Sequence, residues 1–358
     1  MKPFGVYVHI PFCASKCDYC AFATWTDRHH LTDAYMAALR REIATAVDEG
    51  MPLAETVFVG GGTPSMVPAD ALADVIARIP TVRDAEITVE CNPDDVTDLL
   101  LRTYCDAGVN RVSLGVQSMS PHVLSVLGRT HDPENVERAV ESIRAVGVPS
   151  FNLDLIYGSV GESLADWEHT VDEALLLDPP HISAYGLTVE AGTPLADDPD
   201  RHPDDDVQAD EYELADERLT AAGLANYEVS NWSRAGHESQ HNFLYWRQAD
   251  YRGFGCAAHS HRDGRRWWNV RTPDRYVDLV ERGESIEAAS ETLDAATRRF
   301  EGLELLLRTR DGVPRDAFAP DVLASLEGIV RPHPGDADRV VLTRRGRLMA
   351  NDVSARLR

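Results

Sequence analysis

Lysine is almost missing from this chain. It occurs only at Lys2 and Lys16, so the 35 basic residues are nearly all arginine, set against 59 acidic ones for a net charge of −24. A surface of that sign repels nucleic acid and anionic membranes, and neither is an expected partner. Codon bias in a high-GC, salt-adapted background is enough to account for the acidic balance itself. Long apolar runs are also lacking: none reaches the roughly 18 residues that a membrane-spanning helix requires. The opening "MKPFGVYVHIPF" is too short and too interrupted for the apolar region of a signal peptide. A cytoplasmic, reducing environment is therefore expected, in which the six cysteines serve as ligands or buried thiols rather than disulfides. The 43% hydrophobic content supports one large core with room for a small second domain.

Three of the cysteines are crowded together. Cys13, Cys17 and Cys20 form a C-x3-C-x2-C spacing directly after an apolar strand. Free cysteine packs like a small hydrophobe, but Lys16 and Asp18 between these three argue against simple burial. Zinc completed by a histidine such as His9 is a competing reading; zinc ligands usually come as paired elements, however, and no second pair follows. An iron–sulfur cluster fits best. A [4Fe–4S] cluster normally takes four thiolates, so three leave one iron open to a small ligand.

Along the first half, short apolar runs alternate with amphipathic stretches. Strands are expected at "GVYVHI", "ETVFVGGGTP", "EITVEC", "RVSLGVQS", "FNLDLIYG" and "HISAYGLTVE". Helices are expected at 31–48 (Thr32 as N-cap), 69–78, 97–107, 133–146 (Pro133 in the first turn) and 163–177. Strand–helix alternation of this kind implies a parallel sheet covered by helices. Six units fall short of a closed eight-fold barrel, so the fold class is α/β, a partial (β/α)6 barrel. Polar residues gather at the strand ends that carry active sites in such barrels: the glycine triplet 60–62, Glu90, Gln117 and Asp154. A helix is expected at 207–222, little regular structure over 226–268 and a helix at 273–283. From about 292 an amphipathic helix runs to Gly312, followed by a strand pair and a final helix, a small winged-helix-like appendage. Residues 1–225, 226–290 and 291–358 are the expected divisions.

Taken with their contexts, "CASKCDYC", "GGGTP", "VECNPDD", "SLGVQS", "LGRTHD" and "NLDLIYG", these residues resemble the radical S-adenosylmethionine superfamily, specifically its oxygen-independent coproporphyrinogen III oxidase branch. The resemblance implies that Cys13, Cys17 and Cys20 hold a [4Fe–4S] cluster whose open iron chelates S-adenosylmethionine. It implies that Tyr7, Tyr19, Gly61, Gly62, Thr63, Glu90, Gln117, Arg129 and Asp154 contact S-adenosylmethionine.

Within the branch, the decarboxylating oxidases carry a further cysteine at the position of Phe22 and a long extension before the motif, which here begins at residue 13. Both departures are similar to the heme chaperones of HemW type. "HNFLYW" matches their H-N-x-x-Y-W element, which implies heme contact through His241, Tyr245 and Trp246. Imidazole is a good axial ligand for heme iron, and residues four apart share one helix face. His259, His261 and Cys256 are weaker ligand candidates; Cys91 and Cys105 read as buried thiols. The expected function is heme binding and delivery to an acceptor hemoprotein, plausibly of a respiratory chain, and the resemblance leaves room for a homodimer. The alternative is an enzyme that decarboxylates the propionates of coproporphyrinogen III.

Overall fold

A computed structural model describes residues 3–358. Its centre is a parallel sheet laid down by repeated strand–helix units. These are β1 (Phe4–Ile10), α1 (Thr32–Asp48), β2 (Ala54–Gly61), α2 (Ala69–Ala77), β3 (Thr81–Cys91), α3 (Asp98–Asp106) and β4 (Arg111–Gln117). They continue through α4 (Pro121–Val126), α5 (Pro133–Val146), β5 (Ser150–Tyr157), α6 (Leu164–Leu176), β6 (His181–Gly186) and α7 (Asp205–Ala221). Strands β1 to β6 pair in sequence order, all parallel. Val6, Val8, Val57, Val59, Val89, Val112, Leu114 and Leu153 share one face by register and are fully buried there, packed in the main apolar core with the helices. The helices start and stop where local chemistry dictates. The Asp132 side chain accepts from Glu134 N–H ahead of Pro133, and α5 ends on Gly147 at φ +84°. Ser163 and Asp166 form a reciprocal capping box at α6.

The sheet is wider than six strands. After β7 (Ala225–Glu228), β8 (Asn231–Ser233) and α8 (Gln240–Trp246), β9 (Asp250–Phe254) returns to lie parallel to β1. It is followed by β10 (His259–Arg262), β11 (Arg265–Asn269), α9 (Pro273–Arg282) and β12 (Glu287–Thr292). The resulting twelve-stranded order is β12-β11-β10-β9-β1-β2-β3-β4-β5-β6-β8-β7. The remainder comprises α10 (Ala295–Leu307), β13 (Val313–Pro314), α11 (Pro320–Ser325), β14 (Val330–His333), β15 (Asp336–Leu342), α12 (Arg344–Leu348) and α13 (Ala350–Ser354). Its three strands form a separate antiparallel sheet over their own apolar cluster, which includes Leu303, Leu307, Phe318 and Val353. Among the described residues no helix is long and apolar enough to cross a membrane.

Four sequence expectations are corrected. Leu31, not Thr32, precedes α1, because residues 29–31 form a 3-10 turn running straight into the helix, and the Thr32 hydroxyl donates to His29 carbonyl. Residues 226–268 are not irregular: they hold five strands and α8, each too short to show a period. The helix expected from 292 starts only at Ala295, capped by Asp294, after an exposed strand, and stops at Leu307 rather than Gly312. The expected final helix is two short ones, α12 and α13.

Candidate functional site

Parallel register places the carboxyl ends of β1 to β6 along one rim, and the sequence puts its candidate residues there. The cysteine loop leaves β1 and folds back on itself: Cys13 N–H donates to Trp25 carbonyl at 3.1 Å and Trp25 N–H to Pro11 carbonyl at 2.7 Å. The glycine-rich end of β2 clasps this loop. Gly62 N–H donates to Ile10 carbonyl at 2.7 Å and Thr63 N–H to Phe12 carbonyl at 2.8 Å. A Cβ on Gly62 would stand 2.5 Å from Phe12 carbonyl oxygen and 3.0 Å from Cys13 Sγ, so the approach requires glycine.

Cys13, Cys17 and Cys20 all line a cavity of about 590 Å³, together with Tyr19, Gly61, Gly62, Thr63, Glu90, Gln117, Arg129 and Asp154. Of the nine residues expected around S-adenosylmethionine, eight are thus brought together. The thiols are partly exposed and unpaired. Thr63 hydroxyl points to Cys13 Sγ at 3.7 Å, and Arg129 reaches Cys17 Sγ at 3.8 Å while its other amine donates to Gly115 carbonyl at 2.9 Å. Burial pushes the Cys13 and Cys20 thiols up from their ordinary values, a cost that bound metal offsets by holding thiolate. His9 is not available to complete a zinc site: its Nδ1 meets Tyr7 hydroxyl at 3.0 Å and its Nε2 the Ala23 carbonyl at 2.9 Å. Among the described residues no three His, Cys, Asp or Glu side chains converge closely enough for a single ion.

Two half-buried carboxylates face this cavity, neither of them in an ion pair among the described residues. Glu90 accepts from Gly61 N–H at 3.1 Å; burial, reinforced by Asp154, pushes its carboxyl up to about 8. Asp154 accepts from Ser113 hydroxyl at 2.8 Å and Asn152 Nδ2 at 2.7 Å, and burial raises it as well. Such a pair favours a ligand that brings positive charge and hydroxyl donors. Gln117 ends β4 at φ +64° beside a register shift, a strained conformation at the cavity wall. Sequence reasoning missed Ser113, Asn152 and Tyr185. Ser113 and Tyr185 line the cavity, and Ser113 and Asn152 are register partners across β4 and β5. The signal was alternation: Asn152 and Asp154 lie two apart in "FNLD" and so share a face.

Tyr7 stands apart from the other eight. It lines a second cavity, of about 580 Å³, with Tyr245, Tyr251, His259 and Arg271. Ala21 and Phe22 of the cysteine loop belong to both cavities; Phe22 is 66% exposed. The H-N-x-x-Y-W element divides. Tyr245 reaches the second cavity; His241 and Trp246 line neither. His241 is 1% exposed, with Nδ1 at 2.8 Å from Thr56 hydroxyl and Nε2 at 2.8 Å from Tyr245 hydroxyl; burial lowers it to about 3. Cys256 is buried in the core under Tyr35 and lines neither cavity. Cys91 is buried at the first cavity's edge, and Cys105 is only half-buried.

The family model for the radical SAM superfamily matches residues 7–174. A protein of Mycobacterium tuberculosis named heme chaperone HemW is 41% identical, covering 98% of this chain and 94% of its own length. Another of that name from Escherichia coli is 36% identical over 99% and 97%. Coproporphyrinogen III oxidase (HemN) from E. coli superposes with a TM-score of 0.85 over 99% of this chain and 89% of its own, at 22% identity. That last likeness concerns the fold alone, an α/β sheet of mostly parallel strands.

Proposed function

The chain belongs to the HemW family of the radical SAM superfamily, and from that premise we propose that it binds heme and passes it to acceptor hemoproteins. Cys13, Cys17 and Cys20 would hold a [4Fe–4S] cluster, and the surrounding cavity would hold S-adenosylmethionine. When bound, that pair supplies an open iron and an electron donor to the sulfonium. The chain's own part is positional. The Gly62 and Thr63 amides fix the loop that carries the thiols. Arg129 adds positive charge beside Cys17, and Glu90 and Asp154 supply acceptors for the ligand's ammonium and hydroxyl groups.

The observation that carries the reading is the shared wall. One loop bears three thiols toward the first cavity and sets Phe22, an apolar ring, in the wall that the two cavities share. A porphyrin needs flat apolar surface of this kind. The test is to reconstitute the protein anaerobically and assay hemin binding and coproporphyrinogen III turnover on one preparation. Stoichiometric hemin with a Soret band and no protoporphyrinogen supports heme carriage. Turnover would replace it with the oxidase reading. Loss of the iron–sulfur absorbance in Cys17→Ala is expected; its retention would overturn the cluster assignment.

A further inference from the structure

The heme reading leaves open which side chain meets the iron, and the histidine of the H-N-x-x-Y-W element is poorly placed to do so. Four histidines lie in or beside the second cavity. His241 has both ring nitrogens engaged, by Thr56 and Tyr245, and is buried. His9 is held by Tyr7 and the Ala23 carbonyl. His261 meets the Ala249 carbonyl at 2.9 Å through Nδ1 and accepts from Gly264 N–H at 3.1 Å through Nε2. Each would have to give up the hydrogen bond at its ligating nitrogen, in a packed setting, before reaching an iron.

His259 differs. It is exposed on the cavity wall, and among the described residues neither of its ring nitrogens has a hydrogen-bond partner. Its ring lies flat on Trp268, centroids 5.5 Å apart and planes at 23°, because the two are register partners across β10 and β11.

The rest of the wall suits the same ligand. Phe22, Tyr245 and Tyr251 provide aromatic surface. Arg266 is occupied by Glu291 and Glu301; Arg271 is exposed and has no ion pair among the described residues, leaving a guanidinium for a propionate. Among the described residues, two of the five non-glycine residues with positive φ, Gln248 and Ala257, also sit on this wall, as strained residues do at ligand sites.

We propose that heme binds in this second cavity with His259 as an axial ligand and Arg271 at a propionate, and that His241 acts from behind, by fixing Tyr245. This rests on the heme reading above. The test titrates hemin into the reconstituted full-length protein, following the Soret band, resonance Raman and electron paramagnetic resonance of the ferric heme. His259→Gly should weaken hemin binding at least about tenfold and abolish the nitrogen-ligated signature, and added imidazole should restore that signature. His241→Gln should keep it. If the wild type takes up no hemin, the heme reading falls and this inference with it. If the wild type binds but His259→Gly keeps affinity and signature, the inference alone falls. It falls equally if imidazole fails to restore the signature, or if His241→Gln loses the nitrogen signature while His259→Gly retains it.

Discussion

Gly62→Ala tests the idea that the glycine-rich strand end exists to let the cysteine loop come close. The added methyl would meet Phe12 carbonyl oxygen at 2.5 Å, Ile10 carbonyl oxygen at 2.8 Å and Cys13 Sγ at 3.0 Å. Two of those atoms are backbone and cannot swing aside. They are also the acceptors for Gly62 N–H and Thr63 N–H, so relieving the clash pulls apart the two bonds that clasp the loop. At about 0.5–1.5 kcal/mol each, the loss is about 1–3 kcal/mol. Spread over a chain of 358 residues, with unfolding entropy near 2.1 cal/mol/K per residue, that moves Tm by only about 1–4 °C. The local effect is far larger, because the same energy is taken from the site: S-adenosylmethionine affinity should fall about 5- to 150-fold, and iron retained after anaerobic reconstitution should drop. Gly147→Ala is the control. It has φ +84° and nothing within 4 Å of its Cβ, so it costs about 1 kcal/mol in backbone strain and leaves iron content and ligand affinity alone. Equal iron and equal affinity in Gly62→Ala and wild type, by iron analysis and equilibrium dialysis, would refute the clasp.

Three further outcomes follow from the ionisable groups Glu90, Glu42 and Arg129. Glu90 has its pKa raised to about 8, so without ligand its contribution to stability is fully present below the unfolded carboxyl range and is lost as pH rises through about 8; urea midpoints of Glu90→Gln minus wild type should therefore climb between pH 5 and pH 8.5. Glu42 ties α1 to the later strands by accepting from Gly255 N–H at 2.9 Å and Tyr276 hydroxyl at 2.6 Å. Its pKa is raised to about 7 by burial, so Glu42→Ala should cost about 2–3 kcal/mol at pH 5 and less at pH 8.5, where the native carboxylate is already penalised. Arg129→Met removes a positive charge beside Cys17; voltammetry should show a more negative cluster potential, and an unchanged or more positive one would place Arg129 outside the cluster's field.

The local sequence determined a good deal. Alternating apolar runs and amphipathic stretches specify the parallel core, since a strand buried on both faces must be apolar throughout and its crossover helix must be striped. The spacing of Cys13, Cys17 and Cys20 marks three thiols as candidate ligands, because three soft ligands within eight residues have few other uses, and the fold brings all three to one cavity. Glycines at a strand end and acids at others mark the rim for the same reason. Tertiary structure decided the rest. Residues 226–268 looked irregular because strands of three to five residues are too short to show a period; they become strands because β1 offers an open edge to β9 and β6 offers the other edge to β8. Spacing also drew attention to His241, four residues from Tyr245 on one helix face. Only the folded chain shows that this histidine points into the core against Thr56, while His259, one of three weaker ligand candidates in the sequence, stands free on the cavity wall. Ligand availability depends on which lone pairs neighbours have already claimed, and those neighbours come from strands far apart in the chain.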